Sequence, residues 1–379
     1  MQRHVIYDER RKLMRNGFTT GSCAAAASKA AAYMLIGGNR IDTVKINTPA
    51  GIVYEANIED IRVSEGEVSC AVRKDSGDDP DITNGTLIYA TLSLIYDGKK
   101  EVIIDGGEGV GKITRPGLDQ PVGNAAINSV PRTMITEAVR DVMDTFDCED
   151  SVKVIISVPG GEELALKTMG PRLGIVGGIS IIGTSGIVEP MSTKALLDTI
   201  YVELKQLHEE GAKVAVVSPG NYGLDFMRKT YDYDLDKAVK CSNFIGDTID
   251  MVREIGFDKM LLTGHVGKLI KLSGGIMNTH SKEADCRMEL MAAAAVKSGA
   301  STGTVEKILN SVSTEEAYEH LVTEGIEANC FEYIMDKISY YLNKRAGEGL
   351  DVQCIVYSNS RGLLGCTPSA ADYLNEARE

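Results

Sequence analysis

Side chains able to do chemistry concentrate between residues 263 and 290, in TGHVGKLIKLSGGIMNTHSKEADCRMEL. His265 and His280, two of the chain's five histidines, stand there with Lys268, Lys271, Lys282 and Arg287. Histidine suits proton transfer near neutral pH, and the basic side chains suit carboxylates. Lys268 and Lys271 are three residues apart, the spacing of one helical face. A solvated basic helix face has the same spacing. Zinc is a poor fit, because no third histidine or cysteine falls at ligand spacing.

Four further stretches carry polar or glycine-rich patterns. In GFTTGSCAAAASKAA (17–31), Thr19, Thr20 and Ser22 precede an alanine-rich run. The free N–H groups of a helix start there favour an anion, although one hydroxyl alone would serve as a simple cap. In VRKDSGDDPDITNG (72–85), Asp78 and Asp79 sit among further aspartates without the spacing of a calcium loop. They read either as an acidic surface turn or as contacts for a cationic ligand or hydrogen-bond donors. PRLGIVGG (171–178) sets Arg172, a carboxylate partner, before Gly177 and Gly178. Glycine there admits a large flat ligand or serves a buried β-segment with turns.

VIIDGGEGVGKITRPG (102–117) has the glycine rhythm of a loop that binds S-adenosylmethionine (SAM). Such a loop needs a helix directly after it, and here prolines follow. The preceding strand reads as part of an antiparallel meander. Gly107, Gly109 and Gly111 are therefore expected to line a substrate cleft, with a structural hairpin as the other reading.

The elements that must hold these residues fall into two blocks. Residues 1–148 read as an α+β domain with a mainly antiparallel sheet. An alanine helix begins at Thr19 or Thr20 and ends at Gly37–Gly38. Alternating runs follow, and then a helix from about Pro131 to Thr145. Residues 149–379 read as an α/β domain with a mostly parallel, Rossmann-like sheet. Its strands are expected in 152–158, 212–218, 258–264 and 352–358, alternating with helices near 191–210, 247–255, 282–298 and 328–345. Each strand runs into a glycine-rich turn. Ligands in open α/β sheets bind beyond the carboxyl ends of the strands. The expected cofactor edge thus gathers Pro159, Gly160, Gly161, Asn221, Gly264 and Gly267.

Composition narrows the function classes. The 379 residues carry a net charge of −14, which disfavours nonspecific nucleic-acid binding. A cationic pocket can still sit on such a surface. The eight cysteines are scattered and form no C-x-x-C pair, as in reduced cytoplasmic proteins. The N-terminal MQRHVIYDERRKLMRNG is too charged for a signal peptide, and no apolar run is long enough to span a membrane. With 39 glycines and only 10 prolines, many backbone positions are expected to need positive φ or close approach.

These stretches, with AINSVPRTMI, VPGGEELALKTMGPRLGIVGGISIIGTSGIVEPMS and CSNFIGDTID, resemble the CbiD family, the cobalt-precorrin-5B C(1)-methyltransferases. They run in the family's order over roughly residues 15–290, and the last 80 residues match less distinctively. Gly170 stands where the family pattern has asparagine. The resemblance implies SAM-dependent methylation of carbon 1 of cobalt-precorrin-5B, giving cobalt-precorrin-6A in cobalamin biosynthesis. Cobalt then arrives within the tetrapyrrole, and no protein metal site is expected. With such a substrate, Arg172, Lys268 and Lys271 are expected to hold its carboxylates, Arg132 to bind it, and His265 or His280 to manage the proton balance. Homo-oligomerisation and transient contact with neighbouring pathway enzymes are compatible with it. Two other classes fit parts of the chain: a non-catalytic carrier of corrinoid intermediates, and a phosphate-binding helix start of the small-molecule-kinase kind at TTGSCAAAA.

Overall fold

The computed structural model describes residues 14–221 and 223–378. The charged N-terminal stretch discussed above lies largely outside the described residues. The chain folds as a mixed α/β protein with several sheets, in two compact units, Met1–Ser192 and Thr193–Glu379.

The first unit is built on the alanine helix Thr20–Gly37. Thr19 in extended conformation caps its start, its side chain accepting from the Ser22 amide, and Gly38 ends it in the left-handed conformation. Alanines 24–27 and 30–32 are fully buried. Side chains this small let the helix lie close to the sheet and to the helix Ser129–Thr145. The five-stranded sheet runs in the order Glu59–Ser64, Glu67–Arg73, Leu87–Ile95, Ser151–Ser157, Val102–Gly106.

Two expectations are corrected here. The strand 151–157 belongs to this sheet and not to the C-terminal one. It pairs antiparallel with 87–95 and parallel with 102–106. Its buried Val152, Val154 and Ile156 join the core under the alanine helix. The boundary expected after 148 precedes this strand, and the compact units divide after Ser192. Strand 102–106 is likewise no member of a simple meander. It connects through the helix Ser129–Thr145 to its parallel neighbour, a βαβ unit with a long loop inserted before the helix.

The second unit holds a sheet ordered Val239–Lys240, Ala215–Ser218, Lys259–His265, Asp351–Ser358, Gly362–Cys366. The first four strands are parallel and the last is an antiparallel edge. Period-two alternation divides its side chains between two cores. Ala215, Val217, Met260, Leu262, Val352, Cys354 and Val356 face one, packed by helices including Glu327–Ala346 and Ile245–Ile255. Val214, Val216, Leu261, Ile355 and Tyr357 face the other, with Met227 and Leu374 from the helices Leu224–Tyr231 and Ala370–Glu376. Burial on both faces is why these strands read as nearly continuous apolar runs. The helices Thr302–Asn310 and Thr314–Glu324 and the short edge strand 362–366 were not apparent from the periodicity.

Candidate functional site

Three parallel strands of the second unit end at Ser218, His265 and Ser358 along one edge. A cavity of about 390 Å³ opens there. Pro219 and Gly220 form part of its wall, with Gly264, His265, Gly267, Lys268 and Tyr357. Arg287, Asn359 and the residues Ser313, Thr314 and Glu315 at the start of the helix Thr314–Glu324 complete it. The volume falls within the roughly 300–1,000 Å³ of small-molecule sites.

His265 ends the central strand and caps the turn that follows, its Nδ1 accepting the Gly267 amide proton at 3.1 Å. That bond fixes the neutral tautomer, so Nε2 carries the hydrogen and points to Glu315 Oε1, also at 3.1 Å. Ser358 lies 2.7 Å from both Glu315 oxygens, and Ser360 donates to Oε2 at 2.5 Å. Partial burial pushes the Glu315 carboxyl up, but the Ser360 and Ser358 hydroxyls and His265 outweigh it and hold the group below its ordinary range. Glu315 thereby ties the helix Thr314–Glu324 to the ends of two strands. The helix start is fixed independently by Ser313, which accepts from Glu316 N, and by Glu316, which accepts from Val312 N.

The basic residues behave differently from one another. Lys271 is 3% exposed and donates to the carbonyls of Thr279 and Ala284. Arg287 is held by Asp285 at 2.6 and 2.8 Å. Lys268 is half-buried on the cavity wall, and burial lowers its amine below the usual lysine range. His280 and Asn221 are exposed and do not line the cavity.

In the first unit the hydroxyl cluster is internal. Thr19 caps the helix, Thr20 accepts from the Ile182 amide and donates to the Ile182 carbonyl, and Ser22 donates to Gly186 O. The aspartates are similarly engaged. Asp78 accepts from the Arg15 amide, Asp79 from the Met191 amide, and Asp81 pairs with buried Lys74 at 2.5 Å. Arg132 donates to the carbonyls of Ile127 and Ile104. Arg172 is exposed, and its carbonyl accepts from Arg115.

The glycines of 107–111 meet protein atoms. A Cβ at Gly107 would stand 2.4 Å from Ser157 Oγ, and one at Gly109 only 1.8 Å from Val158 O. At Gly111 it would meet Ile175 at 2.4 Å. Gly161 and Gly178 both crowd Gly109 O, each with a virtual Cβ 2.2 Å away. Glycine is required where three loops cross at backbone distance. Gly177 is exposed with φ +82° and meets nothing. Pro159 and Gly160 line a separate cavity of about 410 Å³ within the first unit, with Tyr89, Glu163 and Lys167. They do not share the sheet edge that carries Gly264 and Gly267.

Among the described residues no group of three or more His, Cys, Asp or Glu side chains is placed to hold a metal, and no helix is long and apolar enough to cross a membrane. All eight cysteines are free thiols. Glu315, Tyr357, Ser358 and Asn359 were missed in the sequence. The glycine turn after residue 358 pointed to their strand end, but nothing local brings a carboxylate from residue 315 to it.

The family model for CbiD matches residues 7–190, and that for the CbiD C-terminal domain matches residues 278–368. The cobalt-precorrin-5B C(1)-methyltransferase of Ruminiclostridium cellulolyticum is 47% identical over 92% of this chain and 90% of its own length. This chain belongs to the CbiD family. The enzyme of the same name from Alkaliphilus metalliredigens is 45% identical over 96% of this chain and 94% of its own. That from Methanocaldococcus jannaschii is 40% identical over 95% and 98%. A crystal structure of the cobalamin biosynthesis protein (cbiD) from Archaeoglobus fulgidus is 28% identical, covers 72% of this chain and 83% of that one, and superposes with a TM-score of 0.39. The first CbiD match covers nearly all of the first unit. The second begins at 278 and so includes Arg287, Glu315 and Ser358, while His265 and Lys268 precede it.

Proposed function

We propose that this protein transfers a methyl group from SAM to carbon 1 of cobalt-precorrin-5B, giving cobalt-precorrin-6A in cobalamin biosynthesis. The observation that carries this reading is 47% identity, over nine-tenths of both chains, to a relative that bears the name of that enzyme. The tetrapyrrole is the substrate and brings its cobalt with it. A cytoplasmic location belongs to the same reading, as does a Rossmann-like description of the second unit beside an N-terminal α+β domain.

We place the methyl donor in the cavity at the sheet edge of the second unit. Its walls suit an adenosyl compound with an amino-acid tail. Buried Tyr357 and Gly264 back the wall, and Gly220 and Gly267 leave backbone accessible. At Gly220 an added Cβ would meet no atom within 4 Å, so the wall has room that a side chain would fill. When bound, the donor supplies a methyl group already activated on a sulfonium.

The protein's share is then placement and exclusion of water. His265 and Glu315 hold the turn 266–269 and the helix start in register, which keeps the cavity wall rigid. Protonation of His265 at Nδ1 would break its bond to Gly267, and this favours positioning over proton transfer. In the first unit, Arg132 and Arg172 remain the proposed partners of the macrocycle's acetate and propionate groups.

The test is incubation of the protein with methyl-labelled SAM and cobalt-precorrin-5B. Equal formation of S-adenosylhomocysteine and labelled tetrapyrrole is expected. Tetrapyrrole binding without S-adenosylhomocysteine would make the protein a carrier instead.

A further inference from the structure

Among the described residues, one charged side chain on the wall of the second unit's cavity is left without a direct partner. The ionisable residues of that wall are His265, Lys268, Arg287 and Glu315, with the Tyr357 phenol. The Glu315 carboxylate is hydrogen-bonded by His265, Ser358 and Ser360. Arg287 is compensated by Asp285. Among the described residues no carboxylate lies within ion-pair distance of the Lys268 ammonium. Lys271, on the next turn, spends its donors on the carbonyls of Thr279 and Ala284. A half-buried ammonium without a counter-ion is costly unless a ligand supplies the anion.

The main chain keeps this ammonium at the cavity. Lys268 lies in the single turn Val266–Leu269, whose first residue follows the His265 cap. A Cβ at Gly267 would stand 3.2 Å from His265 Nδ1, and one at Gly264 would meet Leu269 at 3.0 Å. The turn is thus closely packed on both sides of the lysine.

We infer that Lys268 is the carboxylate-binding residue of this cavity, pairing with an anionic group that the ligand brings. The inference rests on the methyltransferase reading for the two sources of that group. One is the carboxylate of the donor's methionyl portion. The other is an acetate or propionate of the tetrapyrrole. A compact cavity with one such cation suits the first, and both have the same chemistry at Nζ.

The experiment compares wild type, Lys268→Met and Lys268→Arg by calorimetry and by initial rates. The calorimetric probes are S-adenosylhomocysteine and 5′-methylthioadenosine, which lacks the amino-acid carboxylate. If the donor is held, Lys268→Met weakens S-adenosylhomocysteine about tenfold or more, the scale of a charge-assisted hydrogen bond. Methylthioadenosine is unaffected, and Lys268→Arg restores part of the loss. If the macrocycle is held, S-adenosylhomocysteine binding stays the same and KM for the tetrapyrrole rises about tenfold.

Affinity and KM both within about twofold of wild type overturn the inference. Should Lys268→Met not fold, acetylation of Lys268 in the wild-type protein decides. Protection by S-adenosylhomocysteine or by the tetrapyrrole supports it, and protection by neither overturns it. Wild type that binds S-adenosylhomocysteine through Lys268 yet transfers no methyl group would sink the methyltransferase reading alone.

Discussion

His265 Nε2 lies 3.1 Å from Glu315 Oε1, across 50 residues of sequence, while its Nδ1 accepts the amide proton of Gly267. One imidazole therefore joins the end of the central strand to the start of the helix Thr314–Glu324. Both ring nitrogens are committed. This arrangement separates a structural from a protonic role. His265→Asn keeps a side-chain cap, whereas His265→Ala removes it. The Ala variant is expected to lose about 1 kcal/mol of stability from the cap. The Asn variant should keep kcat within about threefold of wild type. A collapse of kcat in both variants, with folding and S-adenosylhomocysteine affinity intact, would restore histidine as a proton carrier.

Glu315 gives an acid-side prediction. Its carboxyl is held below the ordinary range in the folded state, so the unfolded state binds the proton more readily. Its stabilising contribution is present above the ordinary glutamate range. It is lost as pH falls through the lowered folded value. Glu315→Gln removes this dependence. Urea unfolding across the acid range should show wild type and variant converging towards the acid end. A constant gap at every pH would contradict it.

Lys268 gives a prediction on the alkaline side. Burial, with Lys271 acting in the same direction, lowers its amine in the ligand-free protein. As pH rises through that lowered value the charge is lost, so affinity for a carboxylate ligand should fall. Binding in that range should take up a proton. Arginine stays charged, so Lys268→Arg moves the loss to higher pH. Calorimetry in buffers of different ionisation enthalpy measures the proton uptake.

Gly220→Val tests the cavity itself. A Cβ there meets no protein atom within 4 Å, so the fold should tolerate the substitution. Thermal stability should change by less than about 0.5 kcal/mol. Ligand affinity should fall at least about tenfold if the open space is ligand space. Unaltered affinity would place the ligand elsewhere.

The loop crossing of the first unit predicts a stability effect. Gly109→Ala would combine φ +69° with a Cβ 1.8 Å from Val158 O, and should cost more than about 3 kcal/mol. Gly123 has φ +93° but meets nothing, so Gly123→Ala should cost only about 1 kcal/mol. Denaturant unfolding distinguishes them. If Gly109→Ala unfolds normally but loses ligand, that loop contacts ligand after all.

The sequence by itself determined much of the local architecture. Alanine content with Thr19 and Gly38 at its ends fixes the first helix, since propensity and caps are local properties. The apolar runs 212–218, 258–264 and 352–358 read as buried strands and form Ala215–Ser218, Lys259–His265 and Asp351–Ser358, because burial on both faces leaves no polar alternation. The glycine turns after them pointed to the edge where the cavity opens. The motifs carried the family resemblance.

Tertiary structure decided what depends on partners distant in the chain. Strand 151–157 has the same apolar pattern as the C-terminal strands, and only its pairing with 87–95 and 102–106 assigns it to the first unit. The glycines at 107, 109 and 111 look alike whether a ligand or a backbone approaches them, and here Ser157, Val158 and Ile175 occupy the space. Lys268 and Lys271 are the same residue type three positions apart. Folding buries one among carbonyls and leaves the other on a cavity wall. Glu315 had no local signal, because its role rests on contacts with residues 265, 358 and 360 that only the closed chain creates.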